Sequence, residues 1–267
     1  MKLLLTKTHR EMKLSTSILA AVAFVATGTA NAAIVTAADN FTNANSGTGW
    51  DSAWTLAPAP NKKPAPAKIA NGTLKFVGND NNAAARNLAT AQDADVLVSF
   101  TLQYSGVLGA NDFVGMWFDN WNGPNLGLKA NCGGDTKKGA TCTNDLFVRT
   151  TGSDGYFLLG SDLVAGTSYE VFGRLYKSTE KNNNHYDRFD AWFKPTGSDL
   201  ISSIVTAKGT SGLTSFDKLG FRSANIDNNV SVSVDHLNVA NVPELGSLAL
   251  MGLAMAGLAV AGRRKRG

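Results

Sequence analysis

Apolar and polar residues alternate along four stretches of the chain. These stretches are Ala94–Tyr104, Tyr169–Tyr176, Phe189–Phe193 and Val230–Val239. Because successive side chains of a β-strand point to opposite faces, this period of two predicts half-buried strands. In the last stretch the alternation changes phase at His236, which indicates a β-bulge.

Eight shorter stretches have the same strand character: Trp54–Leu56, Thr73–Val77, Phe113–Asp119, Leu126–Ala130, Leu146–Thr150, Tyr156–Leu159, Ile201–Thr206 and Lys218–Arg222. Turn-forming pairs lie between strands: Asn71-Gly72, Ser105-Gly106, Asn122-Gly123, Asp154-Gly155, Ala165-Gly166 and Thr196-Gly197. Short strands at this spacing predict an all-β, antiparallel β-sandwich. The Pro- and Lys-rich segment 58–68 is predicted to be a surface loop of the same domain.

The N-terminal segment 1–32 has the three parts of a secretory signal peptide. Lys13 supplies positive charge, and Ile18–Ala26 is a short apolar run. Ala30 and Ala32 then form an A-x-A cleavage site before Ala33. The pattern predicts export and a mature chain that starts near Ala33. Translation from Met1 and translation from Met12 both fit it.

The C-terminal segment 241–267 carries a second apolar run, Leu245–Gly262. Its length is near the lower limit for a membrane-spanning helix. A basic cluster follows at once: Arg263, Arg264, Lys265 and Arg266. By the positive-inside rule, this cluster stays in the cytoplasm and the preceding chain lies outside.

A short motif, Val242, Pro243 and Glu244, precedes this apolar run. The motif, the helix and the basic end together resemble the PEP-CTERM sorting signal, which is read by exosortase, a membrane protease-transpeptidase. Leu245 stands where that motif usually has a second proline. The resemblance implies cleavage near Pro243-Glu244, transient contact with the inner membrane, and transfer to the cell surface, the outer membrane or the medium. It also implies a producer that makes exopolysaccharide. A permanent membrane anchor is the alternative.

The net charge of the predicted mature domain differs in sign from that of the whole chain. The whole chain has a formal charge of +4, but residues 33–240 hold 17 Lys and Arg against 19 Asp and Glu. The predicted mature domain is therefore slightly acidic. Its net charge predicts no nucleic-acid partner.

Cys132 and Cys142 are the two cysteines of the chain, and they flank a Gly-, Thr- and Lys-rich loop. In an exported protein, two cysteines this close predict a disulfide. A metal site is the weaker interpretation, because no histidine lies nearby to complete a tetrahedral set.

Several segments of residues 39–240 resemble a concanavalin A-like or laminin-G-like jelly roll. The segments are Phe41–Trp54, Asn71–Leu74, Arg86–Leu88 and the closing strand Val232–Val239 with Asp235. The resemblance implies a jelly-roll sandwich of the lectin type. It names no ligand.

Residues 33–240 offer little that predicts catalysis. Glu170 and Glu180 are their only glutamates, and neither has a neighbouring carboxylate at the spacing of a glycosidase pair. Asp187 and Asp190 would fall on opposite faces of a strand. The two histidines, His185 and His236, are predicted to be a loop residue and a satisfied edge or core residue, without a G-x-S-x-G motif to complete a triad. We therefore expect no enzyme.

An aromatic cluster, Met116–Asn125, is the clearest candidate for ligand binding. In one interpretation Trp117 or Phe118 belongs to the core and Trp121 packs on a rim. In the other, Asp119, Trp121 and Asn122 line a carbohydrate site.

No cofactor is predicted, although a structural calcium is a second possibility. Calcium takes oxygen ligands, and Asp residues lie in Asn-rich loops. The loops are Asn79–Asn82, Asp112, Asp119-Asn120 and Asp227–Asn229. Turns require the same residue types.

Together, these patterns predict an exported, non-enzymatic protein of the cell surface or extracellular matrix that binds exopolysaccharide. One alternative is a structural surface protein, glycosylated on its Ser- and Thr-rich faces, without lectin activity. A secreted glycoside hydrolase is the weakest alternative.

Overall fold

The computed structural model describes residues 34–57, 67–78, 83–133, 142–152, 155–180 and 183–242. These ranges form fifteen β-strands and no helix. The strands are β1 (Ile34–Asp39), β2 (Thr55–Leu56), β3 (Lys68–Ala70), β4 (Thr73–Val77), β5 (Ala84–Gln92), β6 (Asp95–Ser105), β7 (Phe113–Phe118), β8 (Asn125–Asn131), β9 (Thr143–Arg149), β10 (Gly155–Phe157), β11 (Ser168–Tyr176), β12 (Arg188–Pro195), β13 (Val205–Lys208), β14 (Phe216–Ala224) and β15 (Ser231–Val242).

The predicted terminal signals lie outside the described residues. They include the cleavage residues Ala30, Ala32 and Ala33, the motif residues Pro243 and Glu244, and the basic cluster Arg263, Arg264, Lys265 and Arg266. Within the described ranges, no helix is long and apolar enough to cross a membrane. The predicted helix Leu245–Gly262 also lies outside these ranges.

The strands form two antiparallel sheets. One has eight strands in the order β13-β12-β11-β6-β15-β4-β3, with β1 paired to β15. The other has seven strands in the order β10-β9-β8-β7-β14-β5-β2. The chain crosses between the sheets several times, so that β14 lies between β5 and β7 while β15 lies between β4 and β6. The predicted antiparallel jelly-roll sandwich is confirmed.

Period-two alternation places the predicted apolar positions in the core between the sheets. In β6 the buried residues are Val96, Val98, Phe100, Leu102 and Tyr104. The predicted bulge is confirmed, because the register between β15 and β6 shifts between Asp235 and Asn238. His236 has a φ of 50° there. Its ring is exposed and pairs with Asp235 at 3.0 Å, so of the two predicted alternatives, a satisfied edge or core side chain, the core is excluded.

Three strands have no counterpart among the predicted ones: β1, β3 and β5. In β5 the core-facing positions include Ala84 and Arg86, which do not produce an apolar alternation. The prediction of a strand over Ile201–Thr206 is largely wrong, since β13 starts at Val205. Ile201 and Ile204 are exposed instead. Val242, the predicted start of the sorting motif, ends β15 and pairs with Asp95.

A buried ion pair connects the two sheets. Asp39 ends β1 in the eight-stranded sheet, and Arg86 lies in β5 of the seven-stranded sheet. Their side chains form a salt bridge that is almost fully buried. Trp54 donates its indole N–H to the same carboxylate at 2.8 Å, and the guanidinium also donates to the carbonyls of Ser46 and Ser52. The carboxylate accepts further bonds from the Phe41 amide and the Ser46 hydroxyl, so neither charge is left without partners.

Replacing Arg86 with methionine should lower the free energy of unfolding by about 3–5 kcal/mol, because it leaves the Asp39 charge buried without its cation. Urea unfolding of the full-length chain followed by tryptophan fluorescence measures this loss. The double variant Arg86→Met, Asp39→Leu removes both charges and should recover part of it. A double variant less stable than Arg86→Met would contradict the ion-pair explanation.

Candidate functional site

The central strand of the seven-stranded sheet, β7, is apolar on both faces. In β7, Val114, Met116 and Phe118 point into the core between the sheets, and Phe113 and Trp117 point to the opposite face. All six residues of β7 are buried. A sheet with one face in water alternates between buried and exposed residues. The outer face of this sheet is therefore a second packed surface rather than a solvated one.

Aromatic rings cover this outer face because two neighbouring positions are glycine. The Phe147 ring lies over Gly155 on the next strand, where a Cβ atom would fall 1.9 Å from the ring. The Trp117 ring lies over Gly220 in the same way, at 2.4 Å from such an atom. A side chain at either glycine would displace the ring. Phe147 also contacts Phe113 and Phe157, with ring centroids 5.8 and 5.2 Å away.

A groove with a volume of about 420 Å³ opens on this outer face. We call it the basic groove. The residues that line it come from β7, β8, β9, β14 and the adjoining loops: Asn111, Phe113, Asn125, Lys129, Phe147, Arg149, Gly152, Arg222, Ala224 and Asn225. Aromatic rings, amides and cations line it. No carboxylate is among the described residues of its lining.

Two arginines converge at one end of the basic groove. Arg222 in β14 and Arg149 in β9 both donate to the backbone carbonyl of Trp121, at 2.9 and 3.1 Å. The Arg222 guanidinium also lies over the Trp121 ring, 5.2 Å from its centroid. Arg149 donates to the carbonyl of Gly152 as well. Burial lowers the pKa of Arg149, which shows that its charge is partly removed from water.

Lys129 supplies the third cation, from β8. Its ammonium group lies 4.8 Å from the centroid of Phe147 and 5.9 Å from that of Phe157. Burial lowers the pKa of Lys129, and the positive charge of Arg149 lowers it further. The second effect requires the two cations to be near each other, so the groove concentrates positive charge.

The predicted aromatic cluster lies at the arginine end of the groove. Phe118 belongs to the core, and Trp117 is buried on the outer face. Trp121 lies in the β7–β8 loop with 42% of its surface exposed. Its neighbours Asp119 and Asn122 do not line the groove: the Asp119 carboxylate accepts a bond from Asn120, and the Asn122 side chain is exposed. None of the three predicted site residues lines the groove, but Trp121 lies beside it, against Arg222.

The sequence analysis missed the three cations. Each occupies an alternate position of a strand that was recognised from its apolar residues, where a polar side chain is expected to be solvated. One local signal was available: Gly127, Gly155 and Gly220 interrupt or border strands rich in aromatic and apolar residues. Glycine inside a strand often marks a close approach of another group.

The predicted disulfide between Cys132 and Cys142 is confirmed. Cys132 follows β8 and Cys142 precedes β9. The bond therefore joins two of the strands that carry groove residues. By closing the β8–β9 connection, it restricts the unfolded chain and stabilises the pairing of these strands.

The remaining candidate groups lie away from the groove. Glu170 pairs with Lys194, and Glu180 pairs with Arg188, both on the eight-stranded sheet or its loops. Asp187 accepts bonds from Ser178 and Arg188. Among the described residues, no three His, Cys, Asp or Glu side chains come together as a metal site. The predicted calcium loop Asn79–Asn82 lies outside them.

The chain is similar to known proteins in structure but not in sequence. No protein-family model and no curated protein matches the chain. A xylan β-1,4-xylosidase from Bacillus halodurans is 13% identical, with a TM-score of 0.47 over 76% of this chain and 39% of its own. Lectin I-B4 from Griffonia simplicifolia is 8% identical, with a TM-score of 0.45 over 66% and 91%.

A third similar structure is domain 4 of an extracellular arabinanase from Geobacillus stearothermophilus, in complex with arabinotriose. It is 11% identical, with a TM-score of 0.44 over 83% of this chain and 100% of its own. The chain thus spans well under half of the xylosidase and most or all of the other two. At these identities and scores, none of the three identifies a family, a ligand or an activity for this chain.

Asp112, at one end of β7, should make stability depend on pH. Burial raises the pKa of Asp112 to about 6, and repulsion from Asp227 contributes, against a bond from the Gly109 amide that lowers it. The folded chain therefore binds this proton more tightly than the unfolded chain, whose value is 3.8. The contribution of this group is fully present below pH 3.8 and is lost as pH rises through about 6.

Replacing Asp112 with asparagine removes the titrating carboxyl group, so the variant should not lose this contribution to stability as pH rises. The amide oxygen of asparagine can still accept the hydrogen bond from the Gly109 amide. The melting temperature of the variant relative to the wild type should rise between pH 4 and pH 7 (roughly the interval between the two pKa values). Thermal melts of both full-length proteins in calcium-free buffer measure the difference. A difference that stays constant with pH would show that Asp112 is not the titrating group.

Proposed function

We propose that this chain is an exported, non-catalytic surface or matrix protein that binds exopolysaccharide through the basic groove. The observation that carries the proposal is the groove itself, a depression of about 420 Å³ that combines aromatic rings, amides and cations on a hydrogen-bonded sheet. Sugar rings have apolar faces and a rim of hydroxyl groups. Aromatic side chains suit the faces, and amide or guanidinium donors suit the hydroxyls.

The architecture of the sheet supports binding at this position. β8, β9 and the disulfide hold Lys129 and Arg149 on a hydrogen-bonded framework, and β14 holds Arg222 in the same sheet. A site on paired strands keeps its geometry without the ligand, which reduces the entropy that binding costs. The ring of Trp121, exposed at the arginine end, extends the apolar surface that a glycan would meet.

The groove residues support binding without catalysis. Hydrolysis of a glycosidic bond normally uses two carboxylates on either side of the bond. The described lining of the groove supplies neither a carboxylate nor a histidine. Both described glutamates are held in salt bridges elsewhere.

Export and sorting are part of the same proposal and rest on the two ends of the sequence. The described strands are compatible with this arrangement, since β1 and β15 are paired from Ile34 and Asn241 inward. The chain therefore enters and leaves the sandwich at one place. A signal peptide before β1 and a PEP-CTERM-like segment after β15 would both attach there, away from the basic groove on the other sheet.

Replacing Trp121 with alanine should weaken retention of the full-length chain on the producer's own exopolysaccharide by about tenfold or more, because it removes a large apolar surface from the site. A pull-down with immobilised polysaccharide measures retention, with calcium and with chelator. Loss of retention on chelation would add a metal requirement.

Tyr156→Ala is the matched control. Tyr156 is as exposed as Trp121, but it lies on the edge strand β10 and pairs with the core-facing position Val148. The Tyr156→Ala variant should be retained on the polysaccharide as strongly as the wild type. Absence of retention for the wild type under both conditions would contradict glycan binding and favour the glycosylated structural protein.

The sorting step has a separate test. C-terminal peptides of the protein recovered from the medium or cell surface should end before Leu245, because the resemblance places cleavage near Pro243-Glu244. Mass spectrometry of proteolytic fragments identifies this end. Mature protein that still carries the basic cluster, residues 263–266, would indicate a permanent anchor.

A further inference from the structure

Two partly buried cations of the basic groove, Lys129 and Arg149, differ from the ion-paired cations of the other sheet. On the eight-stranded sheet, Arg174 pairs with Asp95 and Lys194 pairs with Glu170. Lys129 and Arg149 form no salt bridge with any residue of the described ranges. The carboxylate nearest in the strand register, Asp145 opposite Lys129, is bonded to Asn131, Thr143 and Ser161 instead. Within the described ranges, no salt bridge therefore balances the charges of Lys129 and Arg149.

This arrangement is costly for a purely structural role. Moving a charge out of water is unfavourable unless an opposite charge or hydrogen bonds replace the lost solvation. Arg149 is half-buried, and its Nε atom has no hydrogen-bond partner among the described residues. The rings beneath Lys129 orient the ammonium group, but they do not neutralise it. An anion in the groove would balance the charges of both side chains.

The aromatic residues indicate which kind of anion the groove would bind. A small ion would use the cations alone, whereas Phe113, Phe147 and Trp121 add apolar surface along and beside the same groove. Asn111, Asn125 and Asn225 add amides between and beyond the cations. A combination of apolar surface, amides and cations corresponds to a chain of sugar rings that carry acidic groups.

We infer that the basic groove binds an acidic polysaccharide, with carboxylate or sulfate groups of the sugars held by Lys129 and Arg149. This inference rests on the proposed function and specifies its ligand. The guanidinium of Arg149 offers donors in a planar fork that matches either anion, and Lys129 adds a point charge. The sugar rings would then lie against the aromatic floor.

The test compares polymers that differ only in charge. Full-length chain in mild detergent is titrated with polygalacturonate and with the same polymer after its carboxyl groups have been reduced to alcohols. Dextran sulfate and neutral dextran form a second matched pair. We expect each acidic polymer to bind at least about tenfold more tightly than its neutral counterpart, since hydrogen bonds to charged groups contribute this much. The pair with the larger difference identifies the acidic group.

Two variants connect this preference to the groove. Lys129→Met keeps the length of the side chain, and Lys129 has no hydrogen bond to a described residue that the change would break. Arg149→Gln removes the second charge. Each should weaken binding of the acidic polymer about tenfold to a hundredfold. Lys75→Met is the matched control, since Lys75 is exposed on β4 of the other sheet.

The outcomes separate the two proposals. Equal binding of acidic and neutral polymers would overturn the acidic ligand but leave glycan binding in place. The same conclusion would follow if Lys129→Met and Arg149→Gln kept the wild-type melting temperature and bound the acidic polymer as tightly as the wild type. Binding of polyphosphate as tight as that of the acidic polysaccharides would show a site for negative charge alone, which also overturns the inference. Failure to bind any of the polymers or the producer's exopolysaccharide would refute the proposed function itself.

Discussion

The alternation of side chains across each β-strand is the constraint on which both the core and the groove depend. Every strand of the seven-stranded sheet must send half of its residues away from the core. In β7, β8 and β9 those residues include three aromatic rings and two cations among glycines and polar side chains: Phe113, Trp117, Phe147, Lys129 and Arg149. Glycines on neighbouring strands leave room for the rings to lie flat. A packed outer face is the result, and the basic groove lies on it.

Two groups of buried or half-buried charged residues differ in whether they have a partner of opposite charge. Asp39 and Arg86 neutralise each other between the sheets, and indole, hydroxyl and carbonyl groups complete their hydrogen bonds. Burial lowers the pKa of Arg86, while the nearby carboxylate opposes this effect. In the groove, Lys129 and Arg149 lie close to one another without an acidic partner in the described chain. The first arrangement connects the two sheets, and the second leaves positive charge in the groove.

The strands were predictable where a buried face opposes a polar one. β6, β11 and β12 alternate between buried and partly exposed positions, because the core on one side takes apolar residues and the other side is mostly polar. Phe172 and Trp192 are outward exceptions that stack on each other. β5 was missed, since alanine and Arg86 occupy its core-facing positions and only the partner Asp39 makes that arginine acceptable there. The strand predicted over Ile201–Thr206 rested on apolar composition alone. Ile201 and Ile204 are exposed instead, and the strand β13 starts at Val205.

The sequence by itself determined the all-β class, most of the strands, the bulge at His236 and the disulfide, because each depends on neighbours along the chain. It also located Trp121 in the loop that borders the groove. Only the tertiary structure decided which polar residues share a surface. Lys129 and Arg149 lie on consecutive strands, but Arg222 lies far along the chain on β14, which reaches β7 only because the chain crosses between the sheets. Proximity of that kind follows from strand order, for which no local pattern of residues carries a signal.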